Sequence, residues 1–211
     1  MPESAHALSG TLQRGCAELA LTLSVQQQDV LLGYLNLLAR WNRTYNLTAV
    51  RDPVQMVTRH LLDSLSIAPA VVGRRCLDVG TGAGLPGVPL AILLPETEFH
   101  LLDSNGKKTR FLFQVKTALA LDNIVIHQAR VESFSAPAPF DLVVSRAYAS
   151  LADMVVSCRH LLRPGGSMLA MKGTYPDAEL ESLGDAVADV QVQKISVPGL
   201  AEERHLATIH L

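Results

Sequence analysis

Between residues 75 and 87 the chain reads Arg-Cys-Leu-Asp-Val-Gly-Thr-Gly-Ala-Gly-Leu-Pro-Gly, and few folds accept such a stretch. Cys76, Leu77 and Val79 make a short apolar run suited to a strand buried on both faces. Gly80, Gly82 and Gly84 follow at once, leaving backbone that a ligand can approach without meeting side chains. Pro86 suits the first turn of a helix. Residues 88–94 continue it as an apolar helix, with Pro89 near enough to the start that its missing N–H costs little. Strand, glycine turn and helix make the opening unit of an open α/β sheet, and a ligand is expected above the turn.

The downstream pattern extends that unit. Strands are expected over 99–102, ending at Asp103, over 124–126, over 140–145 and over 167–171, with helices over 106–121 and 150–162 between them. Such alternation means a parallel sheet. Pro164-Gly165-Gly166 is expected to end a helix and reverse the chain, and one more helix is expected over 177–187. Val190 to Val197 and Leu206 to His210 suggest a final hairpin around Pro198-Gly199, closing the sheet with an antiparallel edge strand.

Upstream the pattern is helical. Residues 4–21 have weak periodicity interrupted by Gly10 and Gly15. Ser24 is placed to cap the next helix, with Gln27 and Gln28 in its first turn, and Leu31, Tyr34, Leu35, Leu38 and Trp41 then fall on one stripe. Pro53 opens a further helix carrying Arg59, His60 and Asp63, of which the last two are placed to satisfy each other at i, i+3 spacing or to form a rim over the ligand cleft. The expected division is a helical cap over 1–72 and a ligand-binding domain over 73–211.

Composition excludes several classes. A chain of 211 residues, 48% of them hydrophobic, can bury a core without staples. No run reaches the roughly 18–20 apolar residues of a membrane helix, and a cytoplasmic protein without membrane contact is expected. Cys16, Cys76 and Cys158 are far apart and lack partners at metal-ligand spacing, so neither disulfide nor metal is expected. A net charge of −2 conceals segregation: bases crowd residues 40–75 and 104–116, and acids crowd the C-terminal third.

The glycine turn fits two ligand classes. Gly82-x-Gly84-x-x-Gly87, with Asp103 downstream, satisfies the dinucleotide fingerprint. The acid-first register, Asp78-x-Gly80-x-Gly82-x-Gly84, is the form that meets S-adenosylmethionine, and the helical residues ahead of it favour that form over a dinucleotide domain. Polar residues stand where the strands end: Asp103 for ribose hydroxyls, Val131 and Glu132 beside an adenine, Arg146 after the fourth strand and Lys172 after the fifth. No cysteine follows the fourth or fifth strand to attack a pyrimidine, and Ser145-Arg146-Ala147-Tyr148 replaces the Asn/Asp-Pro-Pro-aromatic turn used on exocyclic amines. A ring nitrogen needs neither device, only alignment.

Trp41-Asn-Arg-Thr-Tyr-Asn-Leu-Thr-Ala, Arg59-His-Leu-Leu-Asp-Ser-Leu, Asp78-Val-Gly-Thr-Gly-Ala-Gly-Leu-Pro-Gly, Leu102-Asp-Ser, Arg130-Val-Glu, Ser145-Arg-Ala and Lys172-Gly together resemble the RsmG (GidB) family. That resemblance implies a class I (Rossmann-like) methyltransferase, a doubly wound, mostly parallel seven-stranded sheet behind a helical cap. It implies transfer of a methyl group from S-adenosylmethionine, leaving S-adenosylhomocysteine, to N7 of a guanosine in small-subunit ribosomal RNA, free or within the 30S particle; a monomer is expected. Family cofactor contacts fall on Gly80, Leu85, Val131, Glu132 and Arg146, to which the loop and strand-end arguments add Gly82, Gly84 and Asp103. Arg146 and Lys172 are the candidates beside the target base, and Arg51, Arg59, Lys107, Lys108 and Arg110 the candidate RNA contacts. The family has a leucine where this chain has Asn105.

Overall fold

A computed structural model describes residues 2–148, 150–184 and 187–211 of the protein. Its strands are β1 (Arg75–Val79), β2 (Glu98–Asp103), β3 (Ile124–Gln128), β4 (Phe140–Arg146), β5 (Leu162–Lys172), β6 (Asp189–Ile195) and β7 (Arg204–His210). They form one sheet in the order β3-β2-β1-β4-β5-β7-β6. Strands β1 to β5 pair in parallel, and β7 runs antiparallel to both neighbours, so the antiparallel strand stands at that end of the sheet with β6 outside it. Chain order reverses between β1 and β4, which opens a crevice at the carboxyl ends of those strands.

Alternation along the strands feeds two cores. Cys76, Leu142, Val144, Leu169 and Met171 face one side, while Leu77, Val79, Val143, Met168 and Ala170 face the other. Helix α7 (Leu151–Cys158) covers the second side. The first is covered by α1 (Pro2–Glu18), α2 (Val25–Tyr45), α5 (Gly87–Leu93) and α6 (Gly106–Leu119), with the segment from Pro53 to Leu65 between them. Leu12, Leu31, Leu38 and Leu61 from the N-terminal helices share one cluster with Phe99 and Leu101 of the sheet. Each such side chain contributes on the order of 1.5–3 kcal/mol when fully buried, so the helices and the sheet stabilise one another.

The start of the chain departs from expectation. A single helix runs through both Gly10 and Gly15, because Gly15 marks a close approach: a Cβ there would lie 2.3 Å from Leu62 Cδ1. Ser24 and Gln27 form a capping box, and the Gln27 amide also donates to the Ile92 and Leu93 carbonyls, fixing α2 to the end of α5. Asp52 caps α3 (Pro53–Met56), which widens into a π-helical segment (Val57–Leu62) before α4 (Asp63–Leu65). The wider turn removes the i, i+3 alignment, and His60 and Asp63 do not satisfy each other. His60 Nε2 instead meets Thr48 Oγ1 at 2.9 Å.

Three later boundaries differ as well. The helix expected over 150–162 ends as α7 at Cys158, followed by a 3₁₀ turn, and β5 already begins at Leu162. Pro164-Gly165-Gly166 therefore lies inside β5, where the register with β4 shifts between Phe140 and Leu142, and does not reverse the chain. The helix expected over 177–187 is observed as α8 (Asp177–Glu181); residues 185 and 186 lie outside the described residues. Among the described residues no helix is long and apolar enough to cross a membrane.

Candidate active site

The glycine turn is fixed from three directions. Asp78 is fully buried at the end of β1, and its Oδ2 accepts from Thr81 Oγ1 at 2.7 Å and from the Gly87 N–H at 2.8 Å, closing the loop from within. Burial pushes its carboxyl up to about 7. The N–H groups of Gly80 and Thr81 donate to the Leu102 carbonyl at the end of β2. From the helical side, the Tyr34 hydroxyl donates to the Ala83 carbonyl at 2.8 Å. Tyr34 reads in the sequence only as part of an apolar stripe, although a buried phenol requires a polar partner and that requirement was the available signal.

The loop encloses one side of a cavity of about 250 Å³, lined by Gly80, Leu102, Asp103, Val131, Glu132 and Tyr148 among others. Asp103 Oδ1 accepts from the Asn105 N–H at 2.8 Å, and Oδ2 accepts from the Gly82 N–H at 3.0 Å and from Lys108 Nζ at 3.2 Å. A carboxylate offers roughly four acceptor positions, so one remains, and a second is freed if Lys108 swings out. Asn105, the departure from the family pattern, caps α6 through the Lys107 N–H. Gly82, at φ +61, has no atom nearer than 3.8 Å to where its Cβ would stand, so the loop presents bare backbone there. Leu102 and Val131 for apolar contact, the acids Asp103 and Glu132 and open backbone fit an adenosyl group, with Lys108 and Arg130 on the same cavity.

A second cavity, of about 420 Å³, opens beside the ends of β4 and β5 and is lined by Arg59, Asp63, Arg146, Lys172 and Arg204. Asp63, 2% exposed, receives Arg146 Nη1 on Oδ2 at 3.1 Å and Arg204 Nε on Oδ1 at 2.9 Å. Arg146 Nη1 also donates to the Arg59 carbonyl in the π segment at 2.9 Å. Lys172 Nζ pairs with Glu179 at 2.7 Å. His60, behind this cluster, is pushed down to about 4 by burial and by the nearby Arg146, and stays neutral. Ala147 adopts φ +58, turning the chain so that Arg146 faces this cavity and Tyr148 the first. Neither cavity is lined by a cysteine; Cys16, Cys76 and Cys158 are free thiols within the interior.

Residues 27–207 match the model of the GidB family, described as rRNA small subunit methyltransferase G. The chain belongs to the GidB family. It is 50% identical over 198 residues to the ribosomal RNA small subunit methyltransferase G of Salmonella arizonae, which covers 94% of this chain and 96% of that one. It is 52% identical over 189 residues to the protein of the same name from Escherichia fergusonii, covering 90% and 91%. Among solved structures, the N-methyltransferase NodS from Bradyrhizobium japonicum, in complex with S-adenosylhomocysteine, superposes with a TM-score of 0.56 at 16% identity, covering 82% of this chain and 97% of that one. TYW2 from M. jannaschii, in complex with AdoMet, gives 0.54 at 14% identity over 70% and 73%. These two likenesses establish the class I methyltransferase fold.

Within this GidB-family methyltransferase, the residues singled out by sequence divide in three. Gly80, Asp103, Val131 and Glu132 line the first cavity, and Gly82 donates to Asp103 at its edge. Gly84 and Leu85 do not line it: a Cβ on Gly84 would lie 2.5 Å from Val88 Cγ2, and Leu85 is buried in the core. Arg146 and Lys172 line the second cavity. Of the residues expected to meet RNA, Lys108 lines the first cavity and pairs with Asp103, and Arg59 lines the second and pairs with Glu202. Arg51, Lys107 and Arg110 are exposed. Asp63, for which the sequence left open a pairing with His60 or a place on the rim of the cleft, lines the second cavity, and Arg204 was not singled out because its partner lies far along the chain.

Proposed function

We propose that the protein transfers a methyl group from S-adenosylmethionine to N7 of a guanosine in small-subunit ribosomal RNA. The carrying observation is the pair of cavities on either side of the Arg146–Tyr148 turn, one where Asp103 and Glu132 stand with Leu102 and Val131 beside Lys108 and Arg130, the other with four cations around Asp63, and neither lined by a thiol. S-adenosylmethionine, when bound, supplies an electrophilic methyl group on a sulfonium sulfur. Asp103 accepts from ribose hydroxyls, Leu102 and Val131 flank the adenine, Glu132 borders it, and Gly80 and Gly82 admit the amino-acid end to the backbone. Guanine N7 carries an in-plane lone pair, so no base has to remove a proton and no nucleophile has to activate the ring; the work of Arg146 and Lys172 is alignment. The methylated base is cationic, and the fixed Asp63 carboxylate offsets the repulsion from the surrounding cations.

In this reading the helices before residue 73 form a cap, the remainder the methyltransferase domain, and a monomer acts on RNA within the 30S particle. Labelled S-adenosylmethionine is incubated with small subunits lacking the modification and, separately, with the RNA extracted from them. Label at a guanosine in RNA, stable to reagents that remove ester-linked methyl groups, is the expected result. Label in protein, or in neither, sinks the proposal, and the two substrates decide between particle and free RNA.

A further inference from the structure

Four cations line the second cavity, and two of them, Arg59 and Lys172, also pair with Glu202 and Glu179. Arg59, Arg146, Lys172 and Arg204 line it with a single carboxylate, Asp63. These cations come from four separate places in the fold: the π segment, the end of β4, the end of β5 and the start of β7. Two of them are immobilised. Asp63 holds Arg146 and Arg204 from a position 2% exposed, and only the loss of both pairs would leave its buried charge uncompensated. Both guanidiniums still have donors to spend. Among the described residues, Arg146 uses only Nη1, and Arg204 uses Nε on Asp63 and Nη1 on the Glu203 carbonyl, leaving its Nη2.

Arg59 differs from these two. Its Nη2 meets Glu202, two residues before Arg204, and the two side chains are 35% and 48% exposed. An ion pair that open contributes little, so exchanging Glu202 for another anion costs little. Glu202 therefore occupies the position where the anion of a ligand would be received.

We propose that this cavity is a phosphate subsite, in which a backbone phosphate of the substrate RNA is gripped between Arg204 and Arg59 and displaces Glu202. The inference rests on the RNA-methyltransferase reading above and extends it to the start of β7, which the family match still includes. A planar guanidinium fork matches two phosphate oxygens at once, which explains arginine at these positions. The competing occupant is the carboxylate of the methyl donor, which the same cations would attract.

The test uses the full-length protein, small-subunit ribosomal RNA as the binding probe and S-adenosylhomocysteine as the cofactor probe, with methyl transfer measured separately. Arg204→Gln is expected to weaken RNA binding about ten-fold or more. It should also make the plot of log affinity against log salt shallower by about 0.7. Affinity for S-adenosylhomocysteine should not change. Glu202→Gln removes the competing anion and is expected to tighten RNA binding; being an exposed substitution, it carries the test alone if Arg204→Gln does not fold. Unchanged RNA affinity in either folded variant overturns the proposal, as does a parallel loss of S-adenosylhomocysteine affinity, which would assign the cations to the donor's carboxylate. RNA binding that depends on Arg204 without any methyl transfer would sink the proposed activity and leave the subsite standing. Methyl transfer with RNA affinity indifferent to residue 204 would do the reverse.

Discussion

Asp78 and the glycines after it separate two duties that one motif superimposes. Gly82 and Gly84 both hold positive φ, at +61 and +94, yet only Gly82 faces space a ligand can enter; the missing side chain of Gly84 makes room for Val88 and Leu112. Asp78 likewise works on the loop, through Thr81 and Gly87, while its Oδ1 is buried without a partner. Its carboxyl is raised from 3.8 to about 7, chiefly by burial. The folded chain then keeps a proton that the unfolded chain has released, so stability is greatest below the unfolded value and falls as pH rises from about 4 to 7, by at most ~1.4 kcal/mol per pH unit. Buried His60, depressed to about 4, acts oppositely, losing stability as pH falls through that window. The two must be separated by substitution. Asp78→Asn keeps an acceptor for Thr81 and Gly87 and cannot titrate. Urea midpoints measured against pH for both proteins should converge toward pH 7 after subtraction of a constant offset, with the wild type gaining on the variant as pH falls. Parallel curves would mean that Asp78 is ionised throughout.

The elements that mattered most to the site are those whose partners lie nearby in space and far away in sequence. Helix α2 reaches the glycine turn through Tyr34, which is 49 residues from its acceptor, Ala83. Removing that hydroxyl leaves a buried carbonyl unsatisfied, a loss of about 1–3 kcal/mol. Tyr34→Phe should therefore lower the melting temperature by roughly 2–4 °C for each kcal/mol of destabilisation in a chain of this size. It should also weaken S-adenosylhomocysteine binding, whereas Tyr45→Phe, on the exposed end of the same helix, should do neither; equal behaviour of the two variants would mean that the cap does not support the loop. Strands β1 to β4 were legible because contiguous apolar runs and glycine or proline punctuation are local signals, and so were the positions of Asp103 at the end of β2 and of Glu132 in the turn after β3. The Arg146–Asp63–Arg204 cluster was not, since its hydrogen bonds span 83 and 141 residues and depend on a π-helical widening with no signature in spacing. Gly15 and Pro164-Gly165-Gly166 misled for a related reason: glycine marks close approach and register shifts as readily as it marks breaks.

At the scale of the whole molecule, a net charge of −2 gives no attraction for RNA, so any affinity has to come from where the charges lie. Lys107 and Arg110 are exposed near the start of α6, the helix whose Lys108 lines the first cavity. Much of the acidic C-terminal third is occupied internally, as in the pairs Lys172–Glu179, Arg59–Glu202 and Lys194–Glu203. If the face around the cavities binds the RNA backbone, removing Lys107 and Arg110 together should weaken binding to small-subunit RNA and make the salt dependence shallower by roughly 0.7 for each phosphate no longer neutralised. Arg159→Ala with Lys194→Ala removes the same charge from exposed positions on the 3₁₀ turn after α7 and on β6. That pair should leave the slope unchanged. Should both double variants weaken binding alike, net charge and not its arrangement would govern the encounter, and the basic face would lose its role.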